Sequence, residues 1–260
     1  MEVHHHPHPE KKGLKEYVLE GLMIFIAVSL GFVAETMREH ISENSKAREL
    51  AVNLYKEIYS DSITVAQKVA ARIIKEKQSD YFIRYVKDSS LDNLSPQFYP
   101  AFTFTFINTN PILFEPKDGI LSQLRNSGML RFFKSPELQD EIGQLSVLIA
   151  NVKSRNDVEY NFLQSYAREL ILEHYDFNWY DAYNGSGLVD MTDAPKRTDT
   201  ISVKPVVLNA KTFNRARAAS LAAYYRLIFR ATRIRQYANY ADMNHQLLRT
   251  LRQEYHFDPE

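Results

Sequence analysis

From Leu14 to Lys87 the chain has no proline, and no glycine follows Gly31 in that stretch. Proline removes an N–H and clashes with the preceding turn, and glycine costs backbone entropy, so their absence lets a helix run on. About 74 residues without either after Gly31 read as one helix of roughly 110 Å. No ordinary globular helix is that long, which points to a span that continues into a bundled helix. A break near Ile41–Ser45 is the one alternative within it.

The first part of this helix is apolar nearly all round. Glu20–Glu35 reads EGLMIFIAVSLGFVAE, with only Ser29 polar between Leu22 and Ala34. An amphipathic core helix would turn a polar residue to water at every third or fourth position. Gly21–Ala34 alone covers about 21 Å, short of a hydrocarbon core of about 30 Å. Extension back to Tyr17 gives about 27 Å, the lower edge of a span. Tyr17 suits an interface, where the ring is buried and the hydroxyl stays wet. A buried core helix and a cleaved signal are the alternatives. The signal is disfavoured by a long leading segment and by the lack of a small-x-small site after the apolar run. The chain is therefore expected to comprise a polar His-containing tail (1–16), a transmembrane helix (17–36) and a helical soluble domain (37–260).

Sidedness is less constrained. Lys11, Lys12 and Lys15 precede the span, while Arg38, Lys46 and Arg48 follow it, so the positive-inside rule is nearly balanced. The reading adopted is N-terminus inside and bulk outside.

Composition narrows the function classes. Cysteine is absent, which excludes a disulfide scaffold and a thiolate metal site. Lysine plus arginine equals aspartate plus glutamate, 32 each, so no global basic excess calls for nucleic acid. The tail contains His4, His5, His6 and His8, interrupted by Pro7, and reads as a solvated segment with fortuitous metal affinity.

Downstream, Leu50, Leu54, Ile58, Val65, Val69 and Ile73 form one apolar stripe at helical spacing. SSLDNLSP and NTNP mark loops, with Ser95-Pro96 opening a short helix through Phe106. In GILSQLRNSGMLRFFKSPEL, Leu121 and Leu124 mark a short helix. Gly128 is placed to end it in a left-handed cap, with Met129 just beyond. Ser135-Pro136 reads as an N-cap followed by proline at the first helical position. A helix over Pro136–Tyr175 follows, with Leu138, Ile142, Leu145, Ile149 and Val152 in a 4-3-4-3 rhythm. Residues 176–208 read as a long loop with a small hairpin. The last helix is expected over Ala210–Tyr255, with Leu227, Ile234, Ala241 and Leu248 as a heptad seam and Tyr224, Ala231 and Ala238 interleaved. The fold class is all-α: an N-terminal transmembrane helix continuing into a long helix, and an antiparallel bundle of three long helices with short connecting helices.

This layout, with Ser127, Gly128, Leu130, Arg131, Ser135 and Leu138 in an S-G-x-L-R-x-x-x-S-x-x-L element, resembles a family of uncharacterised bacterial single-pass membrane proteins, a domain of unknown function. The resemblance covers most of the chain. It implies a single-pass anchor in the bacterial inner membrane carrying a helical domain, expected on the periplasmic side. It implies no activity.

No H-E-x-x-H, Walker loop or dinucleotide fingerprint is present. Gly185-Ser186-Gly187 reads as a flexible loop. A di-iron bundle needs paired E-x-x-H motifs; Asp242-Met243-Asn244-His245 is one copy with the wrong acid, and His245 is expected as a core histidine. No catalytic, cofactor or metal residue is assigned, and no cofactor is expected. Glu20 and Glu35 are the acidic candidates. Within a span they would pair, relay protons or hold an ion; at its ends they mark the membrane edges, which is the reading favoured by their terminal positions. The last helix carries Arg215, Arg217, Arg226, Arg230, Arg233, Arg235, Arg249 and Arg252. Read with the interleaved Tyr224, Tyr225, Tyr237 and Tyr240, they suit an anionic partner, but the simpler role is pairing with acids on the other helices.

The leading expectation is a non-enzymatic, membrane-anchored helical scaffold or interaction protein. Its partners are the lipid bilayer and either a second copy or another membrane protein, with no nucleic acid. The alternative is an extracytoplasmic sensor or ligand-binding bundle built on residues 119–138 and 176–208; an enzyme ranks below both.

Overall fold

The computed structural model describes residues 13–107, 112–184 and 204–257. The histidine tail, Gly185–Gly187 and the expected hairpin lie outside the described residues. The chain is all-α, with no strand among the described residues. It divides into two units, Met1–Leu50 and Ala51–Glu260.

Helix α1 (Leu14–Asp88) is unbroken through Ile41–Ser45, as the lack of glycine and proline predicts. Its N-terminal part is long and apolar enough to cross a membrane, and none of that apolar window is buried. Leu22, Ile24, Phe25, Ile26, Leu30 and Phe32 are all exposed.

The second unit is built from the rest of α1 and two further long helical runs. One is α4 (Pro136–Phe162), a π-helical segment (Leu163–Ala167) and α5 (Arg168–His174). The other is α7 (Arg215–Ala231), a π-helical segment (Thr232–Tyr237) and α8 (Ala238–Tyr255). Side-chain contacts fix their directions. Glu141 on α4 accepts from Gln246 on α8, Arg155 donates to the Ile228 carbonyl, and Glu169 pairs with Arg217. Rising numbers on one run meet falling numbers on the other, so the two are antiparallel. Along α1, Asn244 donates to the Ile58 carbonyl, Arg233 pairs with Glu76, and Arg215 donates to the Val86 carbonyl, so α1 is antiparallel to the last run as well.

Short elements close the bundle. In α2 (Phe98–Phe102) and the π-helical segment Thr103–Ile107, residues Phe98 to Phe106 are buried throughout. Such a helix, apolar on all sides, can only sit inside other elements. Phe82 of α1 lies against Phe98, Phe102 and Phe106, with ring centroids 5.6, 5.0 and 5.6 Å away. Helix α3 (Gly119–Asn126) ends at Gly128, whose φ of +68° is the left-handed conformation that glycine adopts without strain. A 3-10 helix (Met129–Phe132) follows. Ser135 Oγ then accepts from the Leu138 N–H at 3.1 Å, and Pro136 occupies the first helical position, so the proline's missing donor costs nothing.

Three expectations are corrected. Residues 176–208 are not loop throughout, because α6 (Phe177–Asn184) lies within them and buries Trp179 and Tyr183. The last helix starts at Arg215 rather than Ala210: Thr212 and Phe213 close a turn on the Asn209 and Ala210 carbonyls, and Asn214 caps the helix by accepting from the Arg217 N–H. The heptad seam is not the core face of that run. Leu227 is 62% exposed and Ile234 51%, whereas Leu248 is buried. The buried face on α7 is Ala218, Ala222, Tyr225 and Phe229, continuing to Thr232 and then to Tyr237, Tyr240, Asn244 and Leu247. The step from Thr232 to Tyr237 is the π-helical segment, whose extra residue resets the phase of everything after it.

Phe82→Ala should therefore cost about 3–5 kcal/mol, and Leu227→Ala less than about 0.5 kcal/mol, in denaturant unfolding of the solubilised full chain. Equal losses would mean that α7 packs along its heptad seam after all.

Candidate functional site: a buried charge cluster between the long helices

The stripe expected on α1 breaks down after Val65. Ile73 is exposed, and the inward positions are Arg72, Lys75 and Ser79, all buried. Charged side chains are almost never this deep unless paired, and a stripe read from apolar residues alone passes over them. The signal that could have found them is the 3-4 spacing of Arg72, Lys75, Ser79, Phe82 and Val86, which continues a helical face without its apolar character.

Arg72 is held by three elements. Its Nη1 and Nη2 donate to the two carboxylate oxygens of Glu159 on α4, each at 2.9 Å, a bidentate pair. Nη1 also donates to the Phe229 carbonyl at 3.1 Å, and Nη2 to the Tyr237 hydroxyl at 2.8 Å. Burial works against the arginine charge, but the facing Glu159 carboxylate outweighs it and holds the guanidinium above its ordinary range. Its Nε has no hydrogen-bond partner among the described residues. Tyr237 is the last residue of the π-helical segment. Its hydroxyl accepts from the Phe114 N–H at 2.8 Å and donates to Asn156 Oδ1 at 3.3 Å, while Asn156 Nδ2 donates to the Phe114 carbonyl at 2.9 Å. The loop before α3 is thereby tied into the same network.

One turn along α1, the Lys75 ammonium lies 4.8 Å from the Tyr225 ring centroid and 5.3 Å from that of Phe229. Burial pushes its pKa down to about 7, partly countered by Glu159 and reinforced by Arg72. Ser79 accepts from Thr105 at 3.2 Å. About three turns in the other direction from Arg72, Asp61 accepts from the Tyr240 hydroxyl and the Lys117 N–H, each at 2.8 Å. Burial raises the Asp61 carboxyl, against the lowering by these hydrogen bonds. Chemically, the row clamps helices by charge-assisted hydrogen bonds and holds one lysine poised to titrate near neutrality.

The residues singled out in the sequence fall elsewhere. Glu20 and Glu35 lie 15 positions apart on α1, about 22 Å at the helical rise, and are not brought together. Glu35 is exposed and pairs with Arg38, whose Nε donates to it at 2.9 Å. Ser127 caps α3 by donating to the Gln123 carbonyl; Leu130 is half-buried; Arg131 lies 5.3 Å over the Phe132 ring; Leu138 is buried. The element is helix punctuation. His245 is exposed, correcting its expected core placement, and it is Asn244 that is buried. Among the described residues no group of three or more histidines and carboxylates is arranged to hold a metal. Of the last-helix arginines, Arg217, Arg226, Arg230 and Arg233 pair with acids on other helices. Tyr225, Tyr237 and Tyr240 are buried, leaving Tyr224 as the exposed one of the four. An open surface depression lined by Glu173, Asn209, Lys211 and Thr212 lies apart from residues 119–138.

No protein-family model matches the chain, and comparison with curated proteins and with solved structures finds no match.

Arg72→Met leaves Glu159 buried without its counter-charge and should cost about 3–5 kcal/mol, most of it recovered by the double change Arg72→Met with Glu159→Leu. Denaturant unfolding of the three proteins checks this; a double variant as weak as the single one would refute it. Lys75 carries its own pH signature. Its pKa falls from the ordinary 10.5 to about 7 on folding, so in that window the unfolded chain holds a proton that the folded chain has lost. Stability should rise with pH from 7 to 9 by up to about 1.4 kcal/mol per unit, and Lys75→Met should abolish the slope. The range stops short of ordinary tyrosine ionisation, where buried Tyr99, Tyr175 and Tyr240, all raised by burial, add the opposite trend.

Proposed function

We propose that the protein is a single-pass, membrane-anchored helical interaction protein without a catalytic role. Its N-terminal helix sits in a bacterial inner membrane, and its helical domain is displayed on the periplasmic side. The observation that carries this reading is the exposure of the entire apolar face of α1 from Leu14 to Val33. A contiguous apolar surface of that extent on a water-soluble monomer is rare and marks an interaction site. Here it goes all round the helix, which suits lipid better than a one-sided protein contact. Glu35 with Arg38 then marks one membrane edge, and Tyr17 with Lys15 the other.

The non-catalytic reading rests on how the charged core residues are used. Arg72, Glu159, Asp61 and Tyr237 spend their hydrogen bonds on holding helices together, and none of them is exposed. The layout that resembles the uncharacterised single-pass family is consistent with an anchor bearing a helical domain. With basic residues balanced on the two sides of the span, the outward placement rests on the ease with which large trailing domains translocate regardless of charge.

Carbonate extraction and protease protection on spheroplasts test both halves. The chain should stay with the membranes at alkaline pH, and its C-terminal part should be cut in intact spheroplasts. Release by carbonate would refute the anchor; protection until permeabilisation would reverse the sidedness.

A further inference from the structure

Within α1, one face is unlike the others. Met23, Ala27, Leu30, Ala34, Met37, Ile41 and Asn44 follow each other at 4-3-4-3-4-3 spacing, all exposed. This is the heptad rhythm of a coiled coil. It crosses the point where the rest of the helix turns charged: Glu35, Arg38, Glu39, Glu43 and Lys46 all lie off it. Lipid would cover the first four positions. It would not cover Met37, 60% exposed, or Ile41, 68% exposed, which stand among those charges. Only another helix running alongside, on both sides of the membrane edge, covers the whole line.

We infer that this face of α1 is a parallel self-association seam whose occupant is the same face of a second copy of this chain. The inference rests on the membrane-anchored reading, because anchoring supplies the register. Two copies inserted in one bilayer share direction and depth, so each seam residue meets its own counterpart. A different partner would need the same rhythm at the same height. Ala27 and Ala34 let the two backbones approach closely inside the membrane. The flanking charges do not oppose the pairing: Arg38 pairs with Glu35 and His40 lies 3.9 Å from Glu43 within each helix. The line ends at Arg48, the next seam position, which is charged.

The cysteine-free chain makes the test direct. Full-length Met37→Cys, Ile41→Cys and Glu39→Cys proteins are oxidised in native membranes. The seam positions should give a disulfide-linked species of twice the chain mass, and Glu39→Cys should not. Adding Ile41→Glu to Met37→Cys should remove the dimer. Equal crosslinking at all three positions, or none, from protein that still resists carbonate would overturn the seam and leave the anchor standing. An adduct of any other mass at Met37→Cys would overturn the second copy as occupant. Release by carbonate would remove the anchor and the seam together.

Discussion

The bidentate pair of Arg72 with Glu159 is the contact on which the arrangement of the long helices depends. A buried charge needs its partner at one distance and one angle, whereas an apolar face accepts many registers. Helix α1 could slide along its neighbours by a heptad at little cost if Leu54, Ile58 and Val65 were all that held it. The guanidinium removes that freedom, since it must meet a carboxylate on α4, a carbonyl on α7 and a hydroxyl at the end of the π-helical segment at once. Asp61 with Tyr240 repeats the device further up the helix. Buried ion pairs add little net stability over an apolar replacement; their value here lies in excluding the wrong registers.

The π-helical segments belong to the same logic. Each inserts one residue into the helical phase and turns the following side chains by most of a third of a turn. In the last run this brings Tyr237 round to Arg72 and Asn156. Near the end of α4, Phe162 precedes another such segment and stacks on Tyr225 with centroids 5.3 Å apart, and Phe106, from the third, stacks on the same ring at 6.5 Å. Two of the segments thus place or adjoin rings on Tyr225, the ring beneath Lys75, while the third carries Tyr237 to Arg72.

What the sequence revealed follows from which physical signal each residue carries. Punctuation was legible: Gly128 and Ser135-Pro136 act through their own backbones, so their effect is local. The apolar face of α4 from Leu138 to Val152 was legible because its period is unbroken. The seam through Leu227 and Ile234 misled because its period was right but a phase shift lay inside it, and nothing in TRIRQY announces one. Arg72, Lys75 and Glu159 were invisible for a different reason. A charge reads as surface until its partner is known, and that partner lies 87 positions away for Arg72.

Helix α1 carries two different codes on one uninterrupted backbone. Beyond Ala51 its inward face holds charges, each balanced by a specific partner, as a helix buried in protein requires. Between Gly21 and Ala34 it is apolar nearly all round, and nothing among the described residues buries it. In water such a stretch gains little from helix formation, since isolated helices are marginal and most helical stability comes from packing an amphipathic face. In hydrocarbon the balance inverts. Every backbone N–H and C=O must then be satisfied within the segment, and a helix is the one single-chain structure that does so. The residue types that make α1 a poor free-standing helix in water are those that make it obligatory in lipid.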